Sequence, residues 1–182
     1  AGAGTYSIIA LADARGSIGE SNEANNTRAV QVTLQVPDLV VSALSLSASG
    51  AGPGEYFSVT STTQNTGVVA AGTSQTRYYL SGDDVLDAAD TYLGADSIAA
   101  LGVGLSESGT TQLRVPTGQA TGTYYLIARA DGSQVLSEAS EANNVRSVAL
   151  TVGLPDLVIS ALNTDKTVYG AGENVTISAT AA

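Results

Sequence analysis

Two clusters of carboxylates and amides are where this 182-residue sequence could do chemistry. The first is Ser81-Gly82-Asp83-Asp84-Val85-Leu86-Asp87-Ala88-Ala89-Asp90, which packs Asp83, Asp84, Asp87 and Asp90 into one short segment. Calcium takes about six to eight oxygens from carboxylates, amides and backbone carbonyls in a flexible loop. This segment offers several of them, without the spacing or the closing glutamate of an EF-hand loop. Asp also favours turns and helix N-termini, because its side chain accepts from nearby backbone N–H groups. Capping of a short turn by Asp84 or Asp87 is therefore the simpler reading. The second cluster is Asp131, Glu138, Glu141, Asn143 and Asn144. It suits an interdomain calcium or a clamp of hydrogen bonds, with the clamp preferred. Asn tolerates left-handed backbone and satisfies loop N–H and C=O groups. No cofactor is required under the simpler readings, and Ca2+ is the one ion the carboxylates suggest.

The second cluster occurs twice. ESNEANNTRAVQVTLQVPDLVVS, Glu20 to Ser42, returns as EASEANNVRSVALTVGLPDLVIS, Glu138 to Ser160, an offset of 118 residues. Asp13, Glu20, Glu23, Asn25 and Asn26 lie over the second cluster, and Gly4-Thr5-Tyr6 over Gly122-Thr123-Tyr124. A fixed period marks a chain built from repeated units. The sequence divides into the closing part of one repeat (1–36), a complete repeat (37–154) and the opening part of the next (155–182). Val36-Pro37-Asp38 and Leu154-Pro155-Asp156 leave almost no linker, which predicts stiff junctions. The middle strands, about Asn65 to Thr121, occur once, so the partial units need covering by neighbouring copies of the repeat, in the same chain or in other subunits.

The elements that must carry these loops are strands. Val30, Val32, Leu34 and Val36 alternate with Ala29, Gln31, Thr33 and Gln35, the period-2 signature of a half-buried strand. Seven or eight strands are expected in the complete unit: Leu39–Leu46, Tyr56–Thr63, Thr76–Ser81, Thr91–Leu93, Ser97–Ala100, Thr110–Val115, Thr123–Ala130 and Val145–Val152. Gly- and Asp-rich turns separate them, and one helical turn over Val85–Ala89 is compatible with the sequence. Many short alternating strands in one small unit predict an all-β, immunoglobulin-like antiparallel sandwich. Pro116-Thr117-Gly118 followed by Gly122-Thr123-Tyr124 reads as the corner at which a tyrosine hydroxyl bonds back to the backbone. Tyr78, Tyr79, Tyr124 and Tyr125 read as core and corner, not as a binding platform.

Composition removes whole function classes. There is no Cys, His, Met or Trp, which excludes thiol catalysis, disulfides, Cys/His zinc sites and imidazole-based triads. The formal charge is −10, with Lys166 the single lysine. That balance argues against nucleic acid and against docking on anionic lipid. No apolar run approaches a membrane span. Ala1 opens no signal-peptide pattern, as expected of a segment from within a longer precursor. Carboxylate pairs on small repeating loops, without an aromatic platform, make a poor glycosidase. A Lys–Asn isopeptide staple is excluded, because the complete unit has no lysine.

PDLVVSALSLS, TTQNTGVVAAGTSQTRYYLS, VPTGQATGTYYLIARAD and SEASEANNVRSVALTV, in that order, resemble the CARDB domain, a bacterial and archaeal immunoglobulin-like repeat associated with cell adhesion. The combination of Asn65-Thr66-Gly67, Tyr79-Leu80-Ser81 and Glu141-Ala142-Asn143-Asn144 carries the resemblance. It implies tandem arrays in secreted or surface proteins and no catalytic activity. The expectation is a non-catalytic structural repeat, outside the cell or on its surface, forming a stalk, fibre or filament of end-to-end sandwiches. The alternatives are a ligand-binding adhesin module, whose receptor the sequence does not name, or a spacer in a larger secreted enzyme.

Overall fold

The computed structural model describes residues 2–154, 156 and 158–181. The chain opens with a hairpin of β1 (Gly4–Leu11) and β2 (Thr27–Leu34), paired antiparallel from Gly4↔Leu34 to Leu11↔Thr27. The complete unit follows with β3 (Leu39–Leu46), β4 (Gly50–Ala51), β5 (Tyr56–Asn65), β6 (Ser74–Ser81), β7 (Thr91–Ile98), β8 (Ser106–Arg114), β9 (Gly122–Arg129) and β10 (Val145–Val152). A last hairpin, β11 (Ile159–Thr164) and β12 (Ile177–Ala181), pairs antiparallel. Among the described residues no helix is long and apolar enough to cross a membrane.

The complete unit is a two-sheet sandwich. One sheet runs β3-β5-β8 and the other β4-β10-β9-β6-β7. Alternation decides which side chains face inward: Phe57, Val59, Ser61 and Thr63 of β5 are buried, while Tyr56 and Thr60 on the opposite face are exposed. Leu39, Val41, Phe57, Val59 and Leu113 meet Tyr78, Leu80, Leu126 and Leu150 in one apolar cluster. Each fully buried aliphatic or aromatic side chain contributes roughly 1.5–3 kcal/mol over leaving it in water. Two pairs of hydroxyls meet within this layer. The Tyr78 hydroxyl meets Ser61 Oγ at 2.8 Å and Thr63 Oγ1 meets Thr76 Oγ1 at 2.6 Å, so a buried ring carries its hydroxyl without an unmet hydrogen bond.

The expected strands are present, with four differences. Thr91–Leu93 and Ser97–Ala100 are one strand, β7, whose register against β6 shifts between Tyr78 and Tyr79. Gly94 sits at that shift, where a Cβ would crowd Leu113 Cδ2 at 3.0 Å, a contact that glycine avoids. Val85–Ala89 forms no helical turn, because its aspartates cap successive tight turns instead. Gly50 and Ala51, expected as turn, pair in parallel with Thr151 and Val152. The corner hydrogen bond is made by Tyr6, whose hydroxyl donates to the Gly2 carbonyl at 2.9 Å. Among the described residues, Tyr124 instead packs half-buried against the core without such a bond. The junction expected at Leu154-Pro155-Asp156 lies partly outside the described residues.

The fold also places the two ends of the unit. The loop between β9 and β10 covers the start of β3, while the far end of β10 lies beside β4, beyond the end of β3. The chain therefore enters at one end of the sandwich and leaves at the other, about 26 Å away along eight strand residues.

Candidate functional site

The second acidic cluster closes the unit at its entry. Asp38 receives three bonds on its carboxylate: the Ser140 N–H at 3.1 Å on Oδ1, and Asn143 Nδ2 at 3.0 Å and the Thr66 hydroxyl at 2.9 Å on Oδ2. The Leu39 N–H donates to Glu138 Oε2 at 2.5 Å, and the Ala139 N–H donates to the Pro37 carbonyl at 2.9 Å. Asn65 joins from β5. Its Oδ1 accepts from the N–H groups of Asp38 at 3.3 Å and Gly67 at 3.0 Å, and its Nδ2 donates to the carbonyls of Val69 at 2.8 Å and Leu101 at 3.1 Å. Gly67 permits this approach, since a Cβ there would come within 2.6 Å of the Pro37 carbonyl carbon. Residues about a hundred positions apart are thereby stitched together.

The loop is pre-shaped by Asp131. This residue is buried and holds φ at 38°, a left-handed conformation that Asp tolerates better than most residues. Its carbonyl accepts from the Gln134 N–H at 2.7 Å and its Oδ2 from the Leu136 N–H at 2.8 Å. Its Oδ1 is buried without a partner. Burial pushes the Glu138 carboxyl up to about 7, reinforced by the negative charges of Glu141, Asp131 and Asp38 and opposed by the Leu39 N–H. Glu141 is more exposed, with Oε2 3.9 Å from Arg129 Nη2.

Asp131, Glu138, Glu141 and Asn143 thus come together as a clamp, but Asn143 points to Asp38, and the fully buried member is Asn144. Asp38 and Asn65, which complete the clamp, were not singled out as site residues. Pro37-Asp38 stood out only as a boundary and Asn65-Thr66-Gly67 only as a family signature. Both segments border the entry of β3, and that adjacency was the available signal.

The first cluster is not gathered. Asp83 Oδ1 accepts from the Val85 N–H at 2.9 Å, Asp87 Oδ1 from the Ala89 N–H at 2.7 Å, and Asp90 Oδ2 from the Asp87 N–H at 2.8 Å. Asp84 is exposed. These are local turn caps. Among the described residues no three acidic side chains stand together as a ready-made metal cage.

The CARDB family model matches residues 36–148. Among solved structures, the chain is similar to the CARDB domain of a Pyrococcus furiosus protein, crystallised in complex with di-metal ions. The identity is 22%, covering 65% of this chain and 90% of that one, with a TM-score of 0.49. A domain of a presumed cell-surface protein from Methanosarcina acetivorans matches at 16% identity, over 64% of this chain and 92% of that one, with a TM-score of 0.47. A β-glucosidase from Erythrobacter marinus matches at 15% identity and a TM-score of 0.46, over 64% of this chain but 16% of the enzyme. No curated protein sequence matches. The family is related to the cell surface and to adhesion in bacteria and archaea. With more than half of its length matched to the family model, this chain belongs to the CARDB family.

Proposed function

We propose that this chain is a non-catalytic structural segment of an extracellular or cell-surface array, in which immunoglobulin-like units join end to end as a stalk or filament. The observation that carries this reading is the placement of entry and exit at opposite ends of the sandwich, with the entry stitched down by the clamp. A unit so built transmits length and direction to the next one. In this reading residues 1–36 and 155–182 are parts of flanking repeats. Ile8, Val30 and Ile159 are exposed there, and strands of a neighbouring repeat cover them, since open apolar sheet faces favour association. The intact mass of the source polypeptide under denaturing conditions tests the arrangement. A mass far above 18.2 kDa is expected for repeats joined in one chain. A mass near that value would overturn the covalent array.

A further inference from the structure

We propose that the outer face of the five-stranded sheet binds an acidic sugar, with Arg77 and Arg129 taking its carboxylate and Tyr79 and Tyr92 its ring. This face lies on the flank of the sandwich, so the inference goes beyond the array reading and leaves end-to-end joining intact.

Alternation along the strands builds the face. Tyr78, Leu80, Leu126 and Ala128 belong to the core cluster, so Arg77, Tyr79, Ile127 and Arg129 point the other way. Tyr79, expected as core or corner together with Tyr78, is thus on the opposite side of the sheet. Arg77 stands directly across from Arg129, and Tyr79 lies between Ile127 of β9 and Tyr92 of β7. The two tyrosine rings meet edge to face with centroids 5.7 Å apart. The Arg77 guanidinium sits 5.8 Å from the centre of the Tyr92 ring, which is still 53% exposed.

The arginine pair carries the argument. Like charges directly opposed on neighbouring strands are destabilising, and little offsets them here. Among the described residues Arg77 makes no hydrogen bond or ion pair, and Arg129 has only Glu141 at 3.9 Å. The Nε of each is buried without a partner, which leaves the Nη groups as the donors a ligand can reach. The other two arginines of the unit are engaged: Arg114 Nε donates to the Gly54 carbonyl at 2.7 Å and Arg146 Nη1 to the Ser42 carbonyl at 2.9 Å. The fold does not require the pair either. The β1–β2 hairpin keeps the same register with Leu11 in the place of Arg129. Two opposed, unneutralised guanidinium groups in a chain of formal charge −10 call for an anion.

The surroundings select its class. The planar guanidinium fork matches a carboxylate, and Glu141 offsets part of the charge, which suits a singly charged group over a phosphate monoester. A peptide would need partners for its backbone N–H and C=O groups, and the face of a sheet, unlike its edge, offers none. A pyranose needs a flat apolar surface beside the charge, and the tyrosine rings supply it.

Trigalacturonate titrated calorimetrically into the 182-residue chain, without divalent ions, tests the site. A short oligomer is the probe because the remaining negative charge repels a long polyanion. One trigalacturonate per chain is expected, with no binding of neutral galactotriose or of triglutamate. R129L, which installs the residue of the first copy, should weaken binding more than about tenfold without lowering the melting temperature. Y92A, at an exposed ring, should weaken it several-fold. R114Q, at the arginine beside Tyr56 on the other sheet, should bind as the parent does. Absence of binding, equally tight triglutamate, parent-like binding by R129L or Y92A, or loss of binding in R114Q would each overturn the proposal. None of these outcomes alters the mass of the source polypeptide, so the array reading stands or falls separately.

Discussion

The β1–β2 and β9–β10 hairpins carry related sequences in two settings. Their strands pair in the same register, Gly4↔Leu34 matching Gly122↔Val152. Asp13 and Asp131 both hold φ at 38° and both accept, on a carboxylate oxygen, the N–H five residues on, from Ile18 and Leu136. What differs is everything beyond the hairpin. Ile8 is 59% exposed, whereas Leu126, the residue at its place in the later copy, is 0% exposed. Glu138 reaches Leu39 across the unit, while in the first copy the contact of the matching loop is the local Glu20–Glu23 one. Hairpin, turn and register are thus local properties, whereas core and clamp come from strands supplied by the rest of a unit.

The sharpest test of that contrast is truncation of the matched pair. L126A should destabilise the chain by about 2–5 kcal/mol in urea unfolding, because it empties a packed site. I8A should change it by less than about 0.5 kcal/mol, because that side chain is already in water. Equal effects would mean that the β1–β2 face is covered in solution.

The amide pair should give a smaller contrast. N144A leaves the Leu39 and Ser140 carbonyls buried without their donor and should cost about 2–3 kcal/mol in the same measurement. N26A, which removes one local bond to Glu23, should cost under about 1 kcal/mol.

The smallest effect is on pH dependence, measured in chelator. Glu138 binds its proton more tightly folded than unfolded, with its carboxyl at about 7 instead of 4.5. The folded state therefore holds more protons between those values, and stability falls as pH rises through that window. After allowance for solvent screening at a half-buried group, the fall should be roughly 1–2 kcal/mol. E138Q should flatten it, and a parent stability that rises over the same window would refute the assignment.

Sequence patterning made the sandwich legible because more buried and less buried residues alternate along β3 and β5. It was less informative at β7, where the shift at Gly94 depends on contact with Leu113 from another sheet. The acidic loop between β9 and β10 was visible as a cluster, but its partners were not. Asp38 and Asn65 lie far from it in sequence and meet it only when β3 and β5 stack beneath the loop. Which of the adjacent Asn143 and Asn144 is buried was hidden for a related reason. Adjacent amides in a loop point to opposite sides, and only the packed structure shows which one faces inward.

The two-residue β4 has a mechanical consequence. Gly50 and Ala51 lie parallel to Thr151 and Val152, fastened by the Thr151 N–H to the Ser49 carbonyl at 2.9 Å and the Gly153 N–H to the Ala51 carbonyl at 3.3 Å. When tension draws the entry and exit of the unit apart, these parallel segments are dragged past each other lengthwise. Their cross-strand bonds then carry load side by side, as rivets do in a lap joint, instead of opening one after another like a zipper. Resistance to pulling is set by the barrier to that sliding and not by the overall stability of the fold, so a tether made of such units would hold under brief loads well beyond what its equilibrium stability suggests.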